Sequence, residues 1–313
     1  MNLWTCRSWM PMLLKEVEKA FDDSNYLYEI KYDGIRVIIF VSPSEIMIKS
    51  RYNVDVTSLF PELKKLKTVV KKNTIFDGEI IMLEDGKVSF SKLQTRIHLK
   101  NYKTIEYLSS TNPVMFVCFD LLYEDKDLTG ENLIKRKTLL DKYPGNDVFF
   151  KSKYIFYNGI KLFENIKELN MEGIVAKKIT SKYEVSKRSD SWVKIKNYQE
   201  GIFVVLGYIN KEESFVISLL LGEKKGNKLY YVGKVSVGKK RQVIKDVLKE
   251  KEIDDPLLGI KEKNVTYIKP RIKCLVKYLE KTKSGSLRQP FVPWKWQKRV
   301  KILKKVSKNH FLY

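Results

Sequence analysis

Residues 26–41 read Tyr-Leu-Tyr-Glu-Ile-Lys-Tyr-Asp-Gly-Ile-Arg-Val-Ile-Ile-Phe-Val. Two runs rich in Ile, Val, Tyr and Phe flank Asp33-Gly34, and each predicts a strand. Asp-Gly between extended apolar runs is a strong hairpin signal, so a hairpin turning at 33–34 is expected. Lys31 falls at the end of the first strand, just before the turn. The pattern K-x-D-G-x-R is modest evidence alone, since Asp77-Gly78 and Asp85-Gly86 repeat the dipeptide.

Outward from this stretch, strands are expected at 45–49, 74–83, 87–91, 114–122, 173–177 and 192–196. Helices are expected at 12–21, 59–66, 132–140 and 160–169; the last carries Ile160, Phe163, Ile166 and Leu169 at helical spacing. This is an α+β pattern with much antiparallel sheet. After residue 200 short strands crowd together at 203–209, 214–221, 229–235, 265–268 and 272–279, with a helix at 241–251. Such a run fits a small OB-type barrel. The expected division is residues 1–200 and 201–313. The basic stretch 297–310 permits a short helix or a frayed end. Arg96 and Lys100 read as a solvated basic loop.

Composition narrows the function. The 313 residues are 43% hydrophobic, enough for real cores, and carry 60 Lys+Arg against 37 Asp+Glu, a formal net charge of +23. That excess points to a polyanion, with nucleic acid the usual one. Cys6, Cys118 and Cys274 are far apart, and His98 and His310 are the only histidines. A cysteine zinc finger, a disulfide framework and a histidine triad are therefore not expected. No apolar run approaches the roughly 20 residues of a membrane helix. Residues 1–14 reach Lys15-Glu16 too soon for a signal peptide. An intracellular, cytoplasmic setting follows, without membrane contact.

Six elements in order carry a resemblance: Lys31–Arg36 (KYDGIR), Ser50-Arg51, Phe76–Ile80 (FDGEI), Val117–Leu122 (VCFDLL), Glu172–Lys177 (EGIVAK) and Asp190–Lys196 (DSWVKIK). The chain resembles the covalent nucleotidyltransferases: ATP-dependent DNA ligases, RNA ligases and mRNA capping enzymes. It is most similar to the ligase module of bacterial end-joining ligases, through Pro11-Met12-Leu13, EGIVAKK, SWVKIK and Leu287-Arg288-Gln289-Pro290. The likeness is strong over about residues 11–200 and weaker beyond. Where the family continues to an R-x-D-K motif, this chain reads Phe291-Val292-Pro293-Trp294-Lys295-Trp296, with no Asp.

The resemblance implies a nucleotidyltransferase domain, with ATP-grasp-like antiparallel sheets and helices, followed by an OB-fold domain. It implies an ATP-dependent DNA ligase that seals 3′-hydroxyl/5′-phosphate nicks in duplex DNA, as a monomer, in repair, recombination or replication. An RNA ligase or capping enzyme is the alternative. A non-catalytic binding module would not need so complete a set, and NAD-dependent ligases carry a cysteine zinc finger absent here. Lys31 would be the nucleophile. At a reference pKa of about 10.4, roughly 0.1% of lysine is neutral at pH 7.5, so nearby cations (Arg36, Lys194, Lys196, a metal) would have to activate it against Glu29 and Asp33. Glu29 would meet the adenine edge, Phe119 would stack on adenine, and Ile30 would belong to the nucleotide site. Glu79 would take the ribose or a metal, Arg36 would belong to the nucleotide site, Arg51 would take the 5′-phosphate, and Lys194 and Lys196 the α-phosphate. Glu172 and Glu79 would hold Mg²⁺ or Mn²⁺. Arg288 would join during lysine adenylylation.

Overall fold

The computed structural model describes residues 2–211, 213–226, 228–239, 242–254, 260 and 262–293. The chain divides into two compact units, Met1–Asn197 and Tyr198–Tyr313. In chain order the first holds β1 (Leu13–Glu16), β2 (Tyr26–Ile30), β3 (Ile35–Val41), β4 (Ile46–Ser50), β5 (Thr74–Ile81), β6 (Leu83–Glu84), β7 (Lys87–Val88), α1 (Phe90–Ile97), α2 (Tyr102–Thr111), β8 (Met115–Glu124), α3 (Leu133–Leu140), β9 (Phe149–Lys151), β10 (Tyr154–Phe156), α4 (Gly159–Glu168), β11 (Gly173–Lys178) and β12 (Arg188–Lys196). The second holds β13 (Gln199–Asn210), β14 (Val216–Lys225), β15 (Lys228–Gly238), α5 (Gln242–Val247), β16 (Thr266–Tyr267) and β17 (Lys273–Tyr278).

Two five-stranded sheets build the first unit, in the orders β1-β12-β11-β2-β10 and β4-β3-β5-β8-β9. The expected hairpin at Asp33-Gly34 does not form. β2 belongs to one sheet and β3 to the other, so residues 31–34 carry the chain between them. Each strand finds better partners elsewhere: β2 lies against β11 and β10, and β3 against β4 and β5. Gly34 is needed for this crossing, because a Cβ there would sit 2.1 Å from the Ile80 carbonyl oxygen. Val37, Ile39 and Val41 bury against Ile48, Phe76 and Phe116 in one core, while Ile38 and Phe40 join a second with Trp9 and Trp192. Both faces of β3 are therefore covered, which explains its unbroken apolar run.

Several local expectations give way to tertiary contacts. Residues 13–16, within the expected helix 12–21, are a strand paired in parallel with β12. Residues 61–68 wind as a 3-10 helix, with Pro61 at its start, where an α-helix was expected at 59–66. The strand expected at 87–91 is two residues long, because the Ser89 side chain accepts from Lys92 N–H and starts α1. α2, capped by the Asn101 side chain, has no counterpart in the sequence reading. Arg96 is not solvated: it is 1% exposed and donates to both oxygens of buried Glu62. Lys100 is exposed, as expected.

In the second unit β13, β14 and β15 form an antiparallel meander, and β16 and β17 both pair with β13. This OB-type sheet encloses its own core of Phe203, Leu219, Val235, Ile244 and Val276. The expected helix 241–251 is confined to α5. Residues 294–313, including Trp294-Lys295-Trp296 and the basic stretch 297–310, lie outside the described residues.

Candidate active site

Lys31 follows β2 directly. Its backbone N–H donates to the Gly173 carbonyl at 2.9 Å, which ties the crossing segment to the start of β11. Gly173 has φ +150°, and a Cβ there would lie 2.1 Å from the Ile195 carbonyl oxygen. Only glycine permits this junction, which holds Glu172 beside Lys31. The Lys31 ammonium donates to Glu172 Oε2 at 2.8 Å.

Register does the rest of the assembly. Gly173 pairs with Lys196, Val175 with both Lys194 and Glu29, and Arg36 with Glu79. Lys194 and Lys196 share one face of β12, while Val193 and Ile195 bury on the other. Ser50 pairs with Val37, so Arg51 leaves β4 at the sheet end that carries Arg36 and Glu79. Arg51 is exposed and lies over the Tyr52 ring.

The sequence sets cations against carboxylates around Lys31 and leaves the net shift open. Burial lowers its pKa, but Glu172, Glu79 and Asp33 oppose this and the net shift is upward. Arg36 exerts little net field, because it is spent on Asp77: Nε reaches Oδ1 at 3.0 Å and Nη2 reaches Oδ2 at 2.6 Å. The Tyr183 hydroxyl donates to the same carboxylate at 2.7 Å and accepts from Met12 N–H at 3.1 Å. Burial pushes Glu79 up to about 8, with Lys31 opposing and Glu172 adding to the rise. Burial likewise raises Glu172. Lys196 is lowered by burial and by Lys194.

Glu79, Glu172 and Asp33 all act on the Lys31 head group. Such hard oxygen donors suit a divalent cation. Among the described residues no group of three or more His, Cys, Asp and Glu side chains forms a metal cage. The carboxylates therefore fit a cation that takes its remaining ligands from phosphate and water.

A second, buried cluster lies behind Phe119. Glu29 is only 2% exposed. Its Oε2 accepts from Lys177 at 2.8 Å, and Lys137 of α3 pairs with its other oxygen. Lys177 also sits 4.2 Å from the Phe119 ring centroid and 4.1 Å from that of Trp192. Burial lowers Lys177 to about 8, and Lys137 adds to the fall. Glu29, expected at the adenine edge, is thus engaged by two lysines. Phe119 is half-buried, with Arg36 Cζ 5.3 Å from its ring centroid. Asp120, beside it, accepts two 2.9 Å bonds from buried Arg136 of α3.

Tyr183, Lys137 and Glu16 escape the sequence reading, since nothing local marks them; they reach the site only through folding. Asp77 and Lys177 sit inside quoted motifs and were visible there. Arg288, in the second unit, donates to Glu280 Oε1 at 2.9 Å.

The structure thus gathers a lysine just after a strand, carboxylates around its head group and a lysine pair on β12 of the same sheet. Residues 11–196 match the ATP dependent DNA ligase domain and residues 212–298 the ATP dependent DNA ligase C terminal region. The chain belongs to the ATP-dependent DNA ligase family. It is 32% identical over 291 residues to the SPbeta prophage-derived DNA ligase-like protein LigB of Bacillus subtilis, covering 91% of this chain and 98% of LigB. It is 30% identical over 295 residues to the multifunctional non-homologous end joining protein LigD of Mycolicibacterium smegmatis, covering 90% of this chain but only 37% of LigD. The crystal structure of the ligase domain of M. tuberculosis LigD superposes with a TM-score of 0.55 at 26% identity, covering 92% of this chain and 94% of that one. A mycobacterial DNA ligase D complexed with ATP and MES gives a TM-score of 0.57 at 26% identity, with the same coverage. The protein is an ATP-dependent DNA ligase. Among its described residues no helix is long and apolar enough to cross a membrane.

Proposed function

We propose that this ligase seals 3′-hydroxyl/5′-phosphate nicks in duplex DNA, acting as an intracellular monomer through a lysyl-AMP intermediate on Lys31. The observation that carries the reading is the 2.8 Å hydrogen bond from Lys31 Nζ to Glu172 Oε2, beside the lysine pair of β12. The ammonium must lose a proton before Nζ can attack the α-phosphorus of ATP. Glu172 already touches that proton, and burial makes its carboxylate a better acceptor. Nζ then forms the N–P bond while the bond to pyrophosphate breaks and pyrophosphate leaves with the electron pair.

Lys194 and Lys196 face the α-phosphate and offset its developing charge. Glu79 and Glu172 would hold Mg²⁺ or Mn²⁺, which would supply Lewis-acid polarisation of phosphate oxygens when bound. Phe119 stacks on adenine and the Ile30 backbone lines its edge. The Glu29 carboxylate retains lone pairs beyond its two lysines, so it can also accept from the adenine amino group. Arg36, aligned by Asp77 and Tyr183, serves the ribose side, and Arg51 the 5′-phosphate of the nick. AMP next passes to that phosphate, and the 3′-hydroxyl displaces it. Arg288 serves the adenylylation step, and the second unit serves DNA clamping at least as much as that step.

Incubation with radiolabelled ATP, GTP or NAD, followed by denaturing electrophoresis, tests this. A covalent label from ATP alone, lost in Lys31→Ala and in excess EDTA, is expected. A label that persists in Lys31→Ala removes Lys31 as nucleophile.

A further inference from the structure

Glu16 of β1 lies on both lysines of β12: its Oε2 is 3.4 Å from Lys194 Nζ and 3.8 Å from Lys196 Nζ. The placement is built into the backbone. β1 runs parallel to β12 with Glu16 opposite Lys194, after a register shift between Leu14 and Lys15. Val17 N–H donates to the Lys194 carbonyl at 3.1 Å, and Arg188 Nη1 donates to the Leu14 carbonyl at 2.6 Å. A one-residue slip would turn Glu16 to the opposite face.

One carboxylate oxygen within 4 Å of two ammonium groups is the arrangement that a phosphate oxygen would adopt at the same pair. Glu172 also acts on Lys196, and it is bonded to Lys31. Glu16 differs in being reachable by water: its side chain is 39% exposed, so it can swing outward when an anion arrives.

We propose that Glu16 is a positioning residue that occupies the phosphate subsite of Lys194 and Lys196 in the nucleotide-free enzyme and is displaced by the α-phosphate of ATP. The proposal rests on the phosphate role assigned to the two lysines. Nucleotide entry must break both Glu16 pairs, so the carboxylate weakens ATP binding while leaving the bond-making step largely alone. The triphosphate as a whole carries more charge than one carboxylate, and its α-phosphate can accept from both lysines at once, so it wins the exchange at working nucleotide concentrations.

The test is the rate of adduct formation against ATP concentration for the full chain, Glu16→Gln, Glu16→Asp and Lys194→Met. Glu16→Gln keeps the shape and an accepting oxygen but removes the charge. It is expected to lower KM for ATP about three- to tenfold, the worth of one or two part-exposed ion pairs, with kcat changing less than KM. Glu16→Asp withdraws the carboxylate by one methylene and should fall between, which also guards against a folding failure of the Gln variant. A purely structural ion pair would instead move the melting temperature and leave KM alone. An unchanged or raised KM in both Glu16 variants overturns the proposal. If Lys194→Met also forms adduct with the wild-type KM, the phosphate role of the lysines falls with it. If Lys194→Met is crippled while the Glu16 variants keep the wild-type KM, only the role of Glu16 fails.

Discussion

Lys31 is held as an ammonium by the carboxylates around it, and that charge state sets what substitutions should do. Lys31→Ala removes the proposed nucleophile without disturbing a core, so labelled adduct should drop to background while the melting curve stays in place. Lys31→Arg should fail equally, because guanidinium remains protonated; adduct at even a tenth of the wild-type level would contradict the assignment. Glu79 offers a pH test with a defined sign. Its pKa is about 8 in the folded protein, above the ordinary value of 4.5. The folded state therefore binds this proton more tightly, and its contribution to stability is full below about pH 4.5 and lost as pH rises to about 8. Glu79→Gln has no proton to lose. Its melting temperature should gain on wild type between pH 5 and 8 and level off above, while adenylylation is lost. A constant offset across that range would mean that Glu79 ionises normally.

At the scale of elements, the junction between residues 31–34 and the start of β11 decides whether Lys31 and Glu172 meet. Gly173→Ala forces a side chain against the Ile195 carbonyl at a backbone angle that L-residues rarely adopt. It should cost about 2 kcal/mol or more in urea unfolding, and slow adenylylation beyond what that loss explains. Wild-type stability in Gly173→Ala would show that β11 and β12 can spread to admit the methyl group. Tyr183 links the segment before β1 to Asp77 and so to Arg36. Tyr183→Phe removes one hydrogen bond at about 1 kcal/mol, and the looser Arg36 should raise KM for ATP. Arg288→Ala, assayed both for adduct and for sealing of pre-adenylylated DNA, separates the roles of the second unit. Loss of adduct alone ties Arg288 to the first step, and untouched adduct removes it from the site.

For the whole molecule, the +23 charge has a direct consequence in solution. Each phosphate neutralised releases counterions, so nick affinity should fall steeply with salt, by about a thousandfold between 50 and 200 mM if six or more phosphates are contacted. A flat response would leave the lysines as solvated surface. Residues 1–197 carry their own cores and every residue proposed to touch AMP except Arg288. As a fragment they should bind nicks poorly and seal a pre-adenylylated nick slowly, with partial rescue at high DNA concentration. Sealing at the full-length rate would show that the second unit is dispensable for holding DNA.

The sequence alone determined the ligase motifs and their order, the two-part α+β and OB-type plan, and the strands around Lys31, Glu79, Phe119, Glu172 and Lys194. These are legible because each rests on a short run whose residue types and period carry the information locally. The tertiary structure decided what those runs pair with. Asp33-Gly34 became a crossing between sheets because β2 pairs with β11 and β10 while β3 pairs with β4 and β5 and is buried on both faces. Residues 13–16 became a strand because β12 has an open edge, and that pairing brings Glu16 onto Lys194 and Lys196. Arg96 closed on Glu62, Arg36 on Asp77, and Glu29 on Lys137 and Lys177, across separations of 34 to 148 residues. An ion pair depends on where two side chains end up in space, and a local pattern holds no record of that distance.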